Sequence, residues 1–160
     1  MKIYTNVDEF YKTCKYWSNA TADLCDIQTG KDIEKSDLPA ELLTPYEFLS
    51  ENYYGMYTYL MQYNGKNGFA FVLEYSEYDD DGHKKTTDNF DCAVAFAQKI
   101  EKTFPQHTVF VGKQTGFPYT LDNGIEDNAT ELVIFIDADF FTDKNKSEFD
   151  ALVDYLEKNA

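Results

Sequence analysis

The sequence predicts a single α+β domain: a mixed, mainly antiparallel sheet of four to six strands with helices packed mostly on one face. Three observations carry this. Hydrophobic residues make up 43% of the chain and aromatics 17%, enough apolar area for one core in 160 residues. Two alternating, aromatic-rich runs at 53–63 and 69–78 flank an Asn/Gly-rich connection, the pattern of a β-hairpin. Strands also fail to alternate regularly with helices, as a doubly wound sheet would require.

Taken in order, residues 2–4 read as a short strand. Asn6 and Glu9 form a capping pair before Val7, Phe10, Tyr11, Cys14 and Trp17, which recur at helical spacing and predict a first helix. From 19 to 38 the pattern dissolves into a loop, with one short strand at 24–28. A short helix is expected at 39–43, and a separate turn at 45–50. In the hairpin, Tyr57, Tyr59, Met61 and Tyr63 share one face of the first strand. Phe69, Phe71, Leu73 and Tyr75 share one face of the second, so one face of the hairpin is read as heavily aromatic. It serves either as core against helices or as a tyrosine platform for a partner.

A second helix starts near Asp88, carries Ala93, Phe96, Ala97 and Ile100 on one side, and ends before Pro105. A strand at 108–113 gives way to a Gly/Pro/Asn loop at 116–128. Leu132, Val133, Ile134, Phe135 and Ile136 form an unbroken apolar run, the mark of a central strand buried on both faces. The last helix, 147–157, buries Phe149, Leu152, Val153 and Leu156.

Charge excludes more functions than any motif suggests. The chain has 14 lysines, no arginine and 29 acidic residues, for a net charge of -15. Arginine is the preferred side chain for gripping phosphate, so direct nucleic-acid binding and binding to anionic membranes are not expected. No window reaches the ~20 apolar residues of a membrane span, and residues 1–6 lack a signal-peptide core, which makes the expected location cytoplasmic. Asn19, Asn128 and Asn145 head Asn-x-Ser/Thr sequons that are then chance matches. Cys14, Cys25 and Cys92 form no C-x-x-C motif and read as reduced, buried thiols, and no cofactor is expected.

The acids are unevenly placed. Between Lys113 and Lys144 there is no cation, while Asp122, Glu126, Asp127, Glu131, Asp137, Asp139 and Asp143 all fall there. Glu77, Asp79, Asp80 and Asp81 make a second acidic run. Two of these stretches allow a metal. Asp137 and Asp139, at i and i+2 of an extended strand, would point to one side with Asp143 just beyond. This string resembles the D-x-D signature of metal-dependent glycosyltransferases, a resemblance that implies a cation bridging a nucleotide sugar's phosphates. The competing reading ends a buried strand there and starts a turn. In the other stretch, alternating carboxylates precede Gly82, with Asp88 where an EF-hand has its last ligand; the alternative is a solvated turn. His83 and His107 belong to no recognisable catalytic string. The segment Gly112-Lys113-Gln114-Thr115-Gly116 mimics only a fragment of a phosphate-binding loop.

In size, acidity and lack of motifs the chain resembles the small inhibitors that phages and mobile elements direct against restriction or CRISPR enzymes, some of which mimic DNA. That resemblance implies a non-enzymatic protein whose acidic surface engages a basic protein, such as a nuclease or another nucleic-acid-handling enzyme. The expected contact residues are Glu77, Asp79, Asp80, Asp81, Asp122, Glu126, Asp127 and Glu131, with Tyr53, Tyr54 and Tyr57 as aromatic anchors. Two alternatives stay open: an immunity protein that neutralises a basic toxin nuclease, and a small divalent-metal enzyme using Asp137 and Asp139.

Overall fold

The computed structural model describes residues 2–4, 12–19, 23–52, 57–63, 65–75, 78–79, 81–84 and 89–159. It contains strands β1 (Lys2–Tyr4), β2 (Cys14–Asn19), β3 (Asp23–Asp26), β4 (Lys31–Asp32), β5 (Tyr57–Tyr63), β6 (Lys66–Tyr75), β7 (Val109–Thr120) and β8 (Glu126–Asp137). The helices are α1 (Ala40–Asn52), α2 (Asn89–Thr103) and α3 (Lys146–Asn159). All the strands join one eight-stranded sheet in the order β1-β7-β8-β6-β5-β2-β3-β4. Among the described strands only the β1–β7 pair is parallel, and the rest are antiparallel. The α+β class and the mainly antiparallel sheet are as expected, but with more strands than four to six.

The centre is β8. Leu132, Val133, Ile134, Phe135 and Ile136 are at most 1% exposed. Alternate residues serve different cores. Leu132, Ile134 and Ile136 join Phe69, Phe71 and the apolar sides of all three helices, including Leu42, Leu49, Ala97, Ile100, Phe149 and Leu152. Val133 and Phe135 join Cys14, Met61, Ala70, Val72 and Phe110 on the opposite face, where the described residues are all strand residues. The helices of the described structure thus pack on one face, as the sequence predicts.

Three differences have clear causes. The helix expected through Trp17 gives way to β2, while Val7, Phe10 and Tyr11 lie outside the described residues. Cys14, Tyr16 and Ser18 are buried at every second position, and pairing of Trp17 with Tyr59 on β5 fixes this period of two over the helical spacing. The expected break at Pro45 is also absent, and α1 runs through it. Pro45, in the second turn of α1, removes one helical hydrogen bond, and the burial of Leu42, Pro45, Tyr46 and Leu49 against the core outweighs that loss. Thirdly, the loop expected at 116–128 is mostly strand. A one-residue shift of register between Thr115 and Pro118 absorbs the proline as a bulge, and the turn shrinks to 121–125.

The hairpin is tighter than expected. Tyr63 pairs with Lys66, so the ladder runs on to the edge of the connection, where Gly65 has φ 75°. Its aromatic sets do not share a face. Phe69 and Phe71 enter the helix-side core, whereas Tyr59 and Tyr63 pack against the other, with Tyr63 4.7 Å from the Phe110 ring. Counting each strand by twos cannot reveal this, because cross-strand register sets which sets coincide: Leu60 opposes Phe69, and Tyr59 opposes Ala70.

Gly68 stands where a Cβ would run into the Phe135 ring and the Ile136 carbonyl. Gly68→Ala is expected to destabilise the fold by about 1–3 kcal/mol, read as a lower denaturant midpoint with an unchanged slope. Burial pushes the Cys14 thiol from 9.0 up to about 12, and Tyr155 rises from 10.0 to about 12 through burial and the charge of Cys92. Both groups are held neutral by the fold, so their contribution is complete below the unfolded-state pKa and is lost as pH climbs toward about 12. Stability to urea should fall as pH rises above about 9, with Cys14→Ala removing the earliest part of the decline.

Candidate functional site

The candidate site lies at the end of the sheet where β6 stops. β6 pairs with β8 as far as Tyr75 opposite Thr130, whereas β7 and β8 stay paired out to Thr120 opposite Glu126. Among the described residues, the β7–β8 hairpin therefore continues past β6 as a two-stranded ribbon. Its turn is closed by Leu121 N–H to the Ile125 carbonyl (2.8 Å) and by Gly124 N–H to the Leu121 carbonyl (2.9 Å).

The chain leaving β6 makes its own turn beside it. Asp79 Oδ1 accepts the N–H groups of Asp81 (3.0 Å) and His83 (2.8 Å), as Asp does in turns. Gly82 has φ 82°, and a Cβ there would stand 2.5 Å from Asn123 Nδ2 and 2.6 Å from Ile125 Cδ1. The backbone angle favours glycine at this position, and the side-chain ends of Asn123 and Ile125 seat closely on it. The contact joins two acidic segments some forty residues apart in sequence.

Asp81, Asp122 and Glu126 are exposed at this end, and Asp79 is half-buried. Hydrated carboxylates keep their charge, and their field adds where they cluster. The end is not free of cations, since Lys84 is exposed there, and the His83 ring stands beside Asp79, with Nδ1 3.8 Å from Asp79 Oδ2. Asp79, Asp81 and His83 each offer one ligand atom, all within 4.8 Å of one another, so these three are the described residues able to share a cation. Of the EF-hand pattern, Asp80 and Asp88 lie outside the described residues, and the element that precedes the turn is a strand where an EF-hand has a helix.

Other expected contact residues fall elsewhere. Asp127 is only 6% exposed, so it belongs to the interior, and with Glu126 and Glu131 it lies in β8 where a loop was expected. The register places Glu131 between Glu74 of β6 and Gln114 of β7. Tyr57 is a strand residue paired with Asn19, and Glu77, Tyr53 and Tyr54 lie outside the described residues.

The premise of an Asp137–Asp139 pair is not met. β8 ends at Asp137, and a 3-10 turn (Ala138–Phe140) follows, so the two residues are not i and i+2 of one extended strand. Asp137 is 2% exposed, while Asp139 and Asp143 are exposed. Asp137 already has protein partners: Oδ1 accepts from His107 Nδ1 at 2.8 Å, and Oδ2 accepts from Thr108 N–H, with Lys66 Nζ 3.8 Å away. Lys66 also donates to the Gln106 carbonyl (3.3 Å), and the His107 ring stands edge-on to Phe140. This cluster ties the turn before β7 to the ends of β6 and β8. It was missed because His107 and Asp137 match no motif; the signal was their place at adjoining ends of two strands that pair antiparallel.

Asp137→Ala would leave buried donors without an acceptor and is expected to cost about 2–3 kcal/mol in denaturant unfolding, whereas Asp139→Ala should stay within about 0.5 kcal/mol. Equal effects would place Asp137 outside the structural role given to it. Comparison of the chain with family models, with curated proteins and with solved structures finds no match.

Proposed function

We propose that this protein is a non-enzymatic inhibitor whose acidic end engages a basic groove on a nucleic-acid-handling protein, acting in the cytoplasm as a phage or mobile-element anti-defence factor acts. The observation that supports this most is the seating of Gly82 against Asn123 and Ile125, which gathers Asp79, Asp81, Asp122 and Glu126 at one end of a rigid sheet. Carboxylates from two turns replace the phosphates that the groove would otherwise hold, and a net charge of -15 hastens encounter with a cationic surface. An immunity protein facing a basic toxin nuclease would use the same surface. Neither reading requires a cofactor.

The test is a pulldown from host lysate with the wild type and with a variant carrying Asp79→Asn, Asp81→Asn, Asp122→Asn and Glu126→Gln. The wild type is expected to retain a basic nucleic-acid-binding protein at low salt, to lose it at high salt, and to release it to added duplex DNA. The variant should retain at most about a tenth as much. A partner held equally by both proteins, at any salt, would refute the electrostatic reading.

A further inference from the structure

Among the described residues, strand β7 extends beyond its pairing with β1. β1 pairs only with Phe110, Val111 and Gly112, while β7 remains paired to β8 as far as Thr120. Among the described residues, no strand lies beside the outer edge of β7 from Lys113 to Thr120. That stretch spans about 25 Å of backbone at ~3.3 Å per residue. Such an edge offers main-chain donors and acceptors to an extended segment.

Two observations select the occupant. The edge runs directly into the Leu121–Ile125 turn, where Asp122 and Glu126 are exposed and the Asp79–His83 turn is seated. Its far end is therefore negative and suits a cationic chain. The bulge between Thr115 and Pro118, together with the missing N–H of Pro118, interrupts the regular ladder. Irregularities of this kind stop like edges from zipping together, and a charge of -15 on each copy opposes self-pairing further.

We propose that the β7 edge is a docking strip for an extended, lysine- and arginine-rich segment of the basic partner. The segment adds beside β7 on either side of the bulge and lays its cations toward Asp122 and Glu126. This rests on the reading of the protein as an acidic inhibitor and states how the partner's chain is held. Main-chain pairing supplies the register, and the acidic turn supplies the preference for cations.

The experiment is residue-resolved amide hydrogen exchange on the full chain at low salt, with and without a short alternating Lys–Val peptide. Amides within 113–120 should slow by about tenfold or more, those of β5 should not change, and an alternating Glu–Val peptide should have no effect. Binding of the Lys–Val peptide without protection of any β7 amide would overturn the proposal, as would equal protection by the Glu–Val peptide or no binding at all. If β7 stays unprotected while the charge-neutralised variant still loses its lysate partner, the edge is excluded and the acidic reading stands.

Discussion

The structure depends on keeping one strand dry on both faces. Leu132 to Ile136 of β8 are almost wholly buried, and taking five large apolar side chains out of water contributes on the order of 10 kcal/mol. That burial makes three demands at once. The strand needs a hydrogen-bonding neighbour on each edge, and β6 and β7 provide them. It needs helices over one face and a second apolar layer on the other. It also admits no polar residue until Asp137, where the strand ends.

The two ends of β8 treat charge in opposite ways. At Asp137 a carboxylate is buried, which is tolerated because both oxygens accept hydrogen bonds, from Thr108 N–H and His107 Nδ1. At the other end, roughly 35 Å along the strand, Asp81, Asp122 and Glu126 stay exposed, Asp79 is bonded within its own turn, and Asp127 alone of the described acids there is buried. A buried, fully bonded acid holds a fold together and presents nothing to a partner. A hydrated group of acids on a braced ribbon does the reverse, and for that reason the functional proposal rests on that end.

Part of this site was legible from the residues. Asp79, Asp81, Asp122 and Glu126 stand out as members of acidic runs with few cations nearby, and the structure brings their two turns together. What the runs could not convey was membership. Asp127 reads like Glu126 in the sequence, yet strand alternation sends it inward. The tyrosines of β5 read equally as core or platform, and Tyr59 and Tyr63 pack half-buried against the second core. The His107–Asp137 pair carried no motif, because its chemistry is a contact between strand ends thirty residues apart.

By itself, the sequence determined the class of fold, the central strand, the aromatic hairpin, the second and third helices, and the net charge of -15. These follow from local periodicity, from turn chemistry and from composition, none of which needs a distant partner. Tertiary structure alone decided that Cys14 to Asn19 is a strand, that the 116–128 segment is mostly ribbon, and that α1 passes through Pro45. In each case a preference of a few residues was outweighed by pairing or packing with residues far along the chain, and that free energy exists only once those partners are in place.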